Sequence, residues 1–393
     1  MPSFDEILRD RVALICEQNR YRELLPVESA QGTRLQVGGQ TMLNFSSNDY
    51  LGLANHPALQ EAAIKAVEKF GAGAGASRLI CGSLAPFHEL EESLAAFKKT
   101  GAALAFSTGY AAAVGTLTAL AGKEDVIILD KLVHACIVDG ARLSGAKLRV
   151  FAHNDLERLE EKLKWARQHS SGQVYVVTES IFSMDGDAAP LREMVALKEK
   201  YGARLMVDEA HASGIIGHAG RGLADKLGLN GRIDIQMGTL GKAFGSAGGY
   251  ICGSRKLIEY LVNRARTFIF STAPVPASAA AATAGIAIVR SADGEMRRQK
   301  LFALVADLKA KFKGAGARLP GGLPSAIIPI VLGDEQRATD AAARLHAHNL
   351  FVPAIRYPTV RRGAARLRVT LTSGHSTEDV SRLAAALNTL DTL

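Results

Sequence analysis

Leu205-Met206-Val207-Asp208-Glu209-Ala210-His211 is a short apolar run that ends in a carboxylate, with an imidazole three positions further on. A run of that length reads as a buried strand. A carboxylate at its end is costly unless it has a partner, and taken alone Asp208 is explained as well by a structural role, capping the next helix or pairing with a nearby arginine, as by a chemical one. The next apolar run changes that balance. Ile235-Gln236-Met237 leads into Gly238-Thr239-Leu240-Gly241-Lys242-Ala243-Phe244-Gly245-Ser246, a glycine-rich turn that carries one lysine. A lysine there can face the same cleft as Asp208. Outward from this pair, Leu104–Phe106, Val126–Leu129, Leu148–Phe151 and Val174–Thr178 repeat the alternation of short apolar runs with helical stretches. Those spacings predict a mostly parallel α/β sheet, whose ligand site lies beyond the carboxyl ends of the strands.

A strand-end Asp followed by a lysine in a glycine-rich turn suits pyridoxal 5′-phosphate (PLP). Its aldehyde needs a lysine amine, and its ring nitrogen needs a carboxylate to stay protonated and act as an electron sink. Either residue alone says little; the combined pattern is specific. The phosphate needs a cradle, and Ser107-Thr108-Gly109-Tyr110 before the helical run Ala111–Leu120 offers a helix N-terminus with free N–H groups. Hydroxyls of Thr239, Ser271 and Thr272 are further candidates, with ordinary capping as the competing account. His134 and Ser183 also fall after predicted strands. A flat imidazole can stack on a cofactor ring, although a core histidine is the simpler reading of His134 by itself.

Gly71-Ala72-Gly73-Ala74-Gly75-Ala76 matches the dinucleotide fingerprint formally, but the residues before it, Leu59–Phe70, are helical in character where the fingerprint needs a strand. No His/Cys/Glu cluster has zinc spacing and no serine sits in a GxSxG elbow, so no metal site is expected and hydrolase readings fall away.

The 393 residues are 48% hydrophobic and 22% charged, which suits an ordinary folded chain. No apolar run approaches the roughly 20 residues of a membrane span, and the N-terminus does not read as a secretory signal, so a cytoplasmic protein is expected. Cys16, Cys81, Cys136 and Cys252 form no CxxC pair and are expected to be buried reduced thiols. A net charge of +8 favours anionic partners such as nucleotides, acyl-CoA or an acidic carrier protein. The basic residues are too scattered to suggest nucleic acid. Residues 3–22 read as an amphipathic helix with a Ser3/Glu6 capping box, expected to pack on another surface. Beyond about residue 285 the pattern becomes α+β: strands at Ala326–Leu332, Phe351–Ile355 and Arg366–Leu371, a helix near Ala338–His348, and a last helix capped by Ser376. The expected organisation is an N-terminal helix and arm (1–45), a large domain (46–285) and a small C-terminal α+β domain (286–393), meeting in a cleft.

Ser46-Ser47-Asn48-Asp49-Tyr50-Leu51-Gly52-Leu53, Ser77-Arg78-Leu79, His153-Asn154-Asp155, Phe182-Ser183-Met184-Asp185-Gly186-Asp187, Asp208-Glu209-Ala210-His211 and Gly238-Thr239-Leu240-Gly241-Lys242 together resemble the α-oxoamine synthases. These are fold-type I PLP-dependent transferases, aspartate aminotransferase-like in fold. The resemblance runs from about Arg22 to His375. It implies that Lys242 takes the cofactor covalently, Asp208 meets the ring nitrogen, His211 the ring hydroxyl, and His134 stacks on the ring. Gly109, Tyr110, Ser183 and Thr239 would complete the cofactor site. Arg22, His134 and Thr359 match substrate contacts, and Asn48 with Arg368 would receive the amino-acid carboxylate. The implied reaction is decarboxylative condensation of an amino acid with an acyl thioester of CoA or acyl carrier protein, in a homodimer. Phe151-Ala152-His153-Asn154-Asp155, Gly220-Arg221-Gly222 and Ile355-Arg356-Tyr357-Pro358-Thr359-Val360 favour the branch that joins L-alanine to a pimeloyl thioester for biotin. Branches using glycine or serine, and a catalytically idle binding protein of the same fold, are the alternatives.

Overall fold

The computed structural model describes residues 1–18, 20–312, 323 and 325–390. It opens with the helix Phe4–Glu17, started by the expected Ser3/Glu6 capping box. None of its residues is buried in the chain. Strands β1 (Arg34–Val37) and β2 (Gln40–Asn44) follow. The central strands are β3 (Ala102–Phe106), β4 (Val126–Asp130), β5 (Lys147–Phe151), β6 (Val174–Glu179), β7 (Arg204–Asp208), β8 (Ile235–Thr239) and β9 (Gly249–Gly253). Near the C-terminus come β10 (Ile327–Gly333), β11 (Leu350–Phe351), β12 (Ala354–Ile355) and β13 (Ala365–Thr370), then the Ser376-capped helix Thr377–Asn388.

The chain divides into two compact units, Met1–Ser47 with Met184–Gly186 and Leu301–Leu393, and Asn48–Ser183 with Asp187–Lys300. The N-terminal arm thus groups with the C-terminal residues, because β11 pairs parallel with β2. The division falls inside the helix Ala292–Lys311 rather than at residue 285.

The larger unit is built on a seven-stranded sheet of order β3-β9-β8-β7-β6-β4-β5. β5, β4, β6, β7 and β8 run parallel, and only β9 pairs antiparallel, to β8 and to β3. The sequence reading misses β9, since Gly249 and Gly253 at its ends read as turn. Val126–Leu129, Val174–Val177 and Leu205–Val207 are buried on both faces, as inner parallel strands must be. Each such Leu, Ile or Val contributes roughly 1.5–3 kcal/mol by leaving water. Leu156–His169, started by the Asp155 side chain, covers β4 and β5, while Pro57–Phe70, which starts on a proline behind His56, packs on the helix Pro276–Arg290. Pro57–Phe70 is also the helix before the glycine run at 71–76, so the dinucleotide reading fails its own test.

In the smaller unit, β1-β2-β11 and β10-β13-β12 form two three-stranded sheets. The single strand expected at Phe351–Ile355 is broken around Pro353, which has no N–H for a ladder, and its halves join different sheets. Cys136 and Cys252 are buried thiols, but Cys16 and Cys81 are exposed, Cys16 because its helix buries nothing within the chain. Among the described residues no helix is long and apolar enough to cross a membrane, and no group of acids, histidines and cysteines could hold a metal.

Candidate active site

Parallel pairing brings the polar ends of the central strands together. Asp208, the last residue of β7, lies beside Glu179 of β6 and Met237 of β8. It is 5% exposed, and its Oδ1 accepts the Ala210 N–H at 2.8 Å, which folds the chain back into a tight turn. The turn delivers His211. Its Nε2 lies 2.7 Å from Lys242 Nζ and its Nδ1 2.6 Å from the Tyr50 hydroxyl. With Lys242 donating to Nε2, the assigned ring proton sits on Nδ1 and points at the Tyr50 oxygen, leaving the Tyr50 O–H for Asn48 Oδ1 at 3.3 Å.

Lys242 is held by the turn after β8. The Thr239 hydroxyl donates to Gly248 O (2.9 Å) and accepts the Gly241 N–H (3.2 Å), and Gly245 N–H donates to Lys242 O (2.9 Å). Gly238, paired with Tyr250 in β9, admits no side chain, since a Cβ there would fall 2.3 Å from the Tyr250 hydroxyl.

Behind this turn is a buried ion pair. Lys98 Nζ bonds Glu209 Oε2, Arg221 O and, at 3.3 Å, Ser213 Oγ, while Glu209 Oε1 accepts the Ala224 N–H at 2.9 Å. Gly222, at φ +116°, lets the backbone pass Glu209 where a Cβ would collide.

Charges are unevenly placed. Burial pushes Asp208 up and Lys242 pulls it back, with a net rise. Burial, then the Asp208 carboxylate, pushes Glu179 up to about 8, and its Oε1 has no hydrogen-bond partner. Burial also lowers His134, against the pull of Asp208, so its imidazole stays neutral at pH 7. His134 caps the helix Ala135–Leu143: Nδ1 accepts the Cys136 N–H at 3.3 Å and lies 3.0 Å from the Cys136 sulfur.

At the neighbouring strand ends the helix Gly109–Leu120 begins, capped by Thr108. Gly109 faces Thr239: a Cβ on it would lie 3.7 Å from Thr239 Cβ. Tyr110 is half exposed and donates to Asp139 Oδ2 at 2.6 Å. Ser183 lies after β6, its N–H bonded to Glu179 Oε2 at 3.1 Å. Ser271 and Thr272 line a small cavity with Ser107, Phe106, Phe268 and Arg78. A buried carboxylate, a lysine close enough to shift it, a neutral imidazole and a helix N-terminus are the donors that PLP requires, and they fit it.

Asn48, Gly109, Tyr110, His134, Ser183, Asp208, His211, Thr239 and Lys242 all belong to the larger unit. Arg22, Thr359 and Arg368 belong to the smaller one. There Arg22 Nη2 donates to Thr359 Oγ1 at 3.4 Å, and Arg368, buried in β13, donates to Thr370 Oγ1 at 3.1 Å. Sequence reasoning did not single out Tyr50, Glu179, Glu209 or Lys98. Glu179 carried the same signal as Asp208, a carboxylate closing an apolar strand.

The family described as aminotransferase class I and II matches residues 40–387. The chain is 45% identical over 371 residues to 8-amino-7-oxononanoate synthase of Geobacter sulfurreducens, covering 94% of both chains. Serine palmitoyltransferase of S. paucimobilis, solved with a bound PLP–myriocin aldimine, superposes with a TM-score of 0.89 at 32% identity, covering 98% of this chain and 97% of that one. The 8-amino-7-oxononanoate synthase of Francisella tularensis gives 0.75 at 27% identity, over 88% of this chain and 97% of its own. With a site whose donors suit PLP, the chain belongs to the class I and II aminotransferase family, in its α-oxoamine synthase branch of fold-type I PLP-dependent enzymes.

Proposed function

We propose that this enzyme condenses L-alanine with a pimeloyl thioester to give 8-amino-7-oxononanoate, CO2 and the free thiol, a step toward biotin. The observation that carries the reading is the likeness to 8-amino-7-oxononanoate synthase along 94% of both chains, in a chain that brings Lys242 to His211, three residues after Asp208. In the overall reaction the alanine Cα bonds the thioester carbonyl carbon. The C–S bond and the Cα–carboxyl bond break, and Cα regains a proton.

PLP, when bound, supplies the sink for electrons released at Cα. Asp208 holds a proton at the ring nitrogen, and the buried setting of β7 strengthens that attraction. His134, kept neutral by burial, presents a flat uncharged face to the ring. His211 would meet the ring hydroxyl, and Ser183 would complete the cofactor site. The N–H groups at Gly109 and Tyr110 would hold the phosphate, joined by the Thr239 hydroxyl once its proton turns from Gly248 O. Lys242 accepts the Cα proton as a free amine and returns one, and His211 at 2.7 Å fixes where that amine sits. Arg368 would take the alanine carboxylate through its planar fork, and Asn48 would act as a hydrogen-bond partner for the amino-acid substrate. Arg22 and Thr359, already bonded to each other, receive the acyl partner.

The active form proposed is a cytoplasmic homodimer. Its support is the exposed apolar residues of the N-terminal helix, Phe4, Val12 and Leu14, which a second copy would cover. The carrier, CoA or acyl carrier protein, is anionic in either case and suits a net charge of +8.

A second reading, condensation of serine or glycine with another acyl-CoA, is favoured by the likeness to serine palmitoyltransferase. Thiol release measured for L-alanine, glycine and L-serine, each with pimeloyl-CoA and with other acyl-CoAs, separates them. Release confined to L-alanine with the pimeloyl thioester is expected. Release only with serine or glycine and another thioester would overturn the assignment.

A further inference from the structure

A second cluster of charges lies outside the groups assigned to the cofactor. His153, two residues past β5, points Nδ1 at Asp130 Oδ1 (3.0 Å) and Nε2 at Asp187 Oδ2 (2.8 Å). An imidazole that donates from both nitrogens is an imidazolium. Burial works against that charge, but the two carboxylates outweigh it and hold His153 up to about 10. Asn154, in the left-handed region at φ 54°, reinforces the bridge. Its N–H donates to Asp130 Oδ2 at 2.9 Å, and its amide donates to Asp187 Oδ2 at 3.0 Å and Ala188 O at 3.2 Å.

The two carboxylates belong to different loops. Asp130 ends β4, and its Oδ1 also accepts the Leu132 N–H at 2.8 Å, which shapes the short loop leading to His134. Asp187 closes a hairpin in which Ile181 bridges Ala188 and Phe182 N–H donates to Asp187 O at 2.9 Å. Ser183 sits within that hairpin, and the Phe182 ring stands edge-on to His153 at 4.4 Å.

We propose that His153 is a positioning residue, bridging Asp130 and Asp187 so as to fix the loop that carries His134 against the hairpin that carries Ser183. The inference rests on the assignment of His134 and Ser183 to the cofactor. His153 bonds Asp130 and Asp187, so its effect on cofactor binding is expected to pass through the loops that carry those two carboxylates.

The test is PLP affinity of the full chain, measured by titrating cofactor-free protein and following absorbance, for His153→Gln alone and combined with Ser183→Ala. In the native background His153→Gln should weaken PLP binding about tenfold, and in the Ser183→Ala background less than about twofold, because contacting or linked residues are not additive. Equal losses in both backgrounds, or no loss in either, would overturn the proposal, since a purely stabilising histidine gives additive effects. If His153→Gln does not fold, Asp187→Asn, which leaves the Asp130 half of the bridge, carries the same comparison. The readout is binding, so an error in the proposed substrates would appear as PLP-bound protein without product and leave this test intact.

Discussion

Replacing Lys98 by Met leaves the Glu209 carboxylate buried with no cation beside it. The two side chains are 1% and 0% exposed, so water cannot move in to compensate. Opposite charges within ~4 Å attract by about 4 kcal/mol at an effective dielectric near 20, and removing one partner of a buried pair costs about 3–5 kcal/mol. Met keeps most of the lysine stem volume, so little of that loss is a cavity. Lys98→Met should therefore lower the unfolding free energy of the cofactor-free protein by about 3–5 kcal/mol, read from urea denaturation by circular dichroism. In a Glu209→Gln background the Lys98 ammonium is the stranded charge, and the amide oxygen can still accept the Ala224 N–H. The same change should then cost nothing or restore stability, a coupling of at least about 3 kcal/mol between the sites. A loss below ~1 kcal/mol in the native background, or equal losses in both, would refute the reasoning. Because Glu209 is the residue after Asp208, Lys98→Met should also weaken PLP binding.

Three further outcomes follow from the site. Lys242→Ala should remove the visible absorbance of the PLP-loaded protein, and borohydride reduction of the native enzyme should fix the cofactor on the peptide containing Lys242; a label on another lysine would displace the assignment. Arg368→Lys keeps the charge but loses the planar fork, so kcat/KM for the amino acid should fall about 10- to 100-fold, and near-normal turnover would remove Arg368 from carboxylate binding. Glu179, raised to about 8 from an ordinary 4.5, keeps in the fold a proton that the unfolded chain has released. Unfolding free energy should thus fall as pH rises from about 4.5 to about 8, and Glu179→Gln should flatten that slope; an unchanged slope would place it elsewhere.

The inner strands were legible because burial on both faces demands an unbroken apolar run, and Val126–Leu129, Val174–Val177 and Leu205–Val207 have one. β9 was not, since its glycines answer a neighbour rather than a turn: a Cβ on Gly249 would fall 2.5 Å from Gly109 N, and one on Gly253 would fall 2.6 Å from Leu257 Cδ2. The pairing of β2 with β11 left no local trace, so the N-terminal arm could not be placed with the C-terminal residues from spacing alone. At the candidate site, Asp208, His211 and Lys242 stood out because each follows an apolar strand. Tyr50 meets His211 across 161 positions, and Lys98 meets Glu209 across 111. Such contacts depend on how the helices lie over the sheet, which periodicity does not encode. The N-terminal helix shows the opposite limit. Its capping box and apolar positions were readable, but what covers them was not.

The most direct test of the account is the fate of the alanine carboxyl carbon. PLP-loaded enzyme given carboxyl-labelled L-alanine and pimeloyl-CoA should release labelled CO2 and free thiol in equal amounts, with 8-amino-7-oxononanoate as the product. Thiol release with the label retained in the product, or no turnover of L-alanine by protein that has bound PLP, would contradict it.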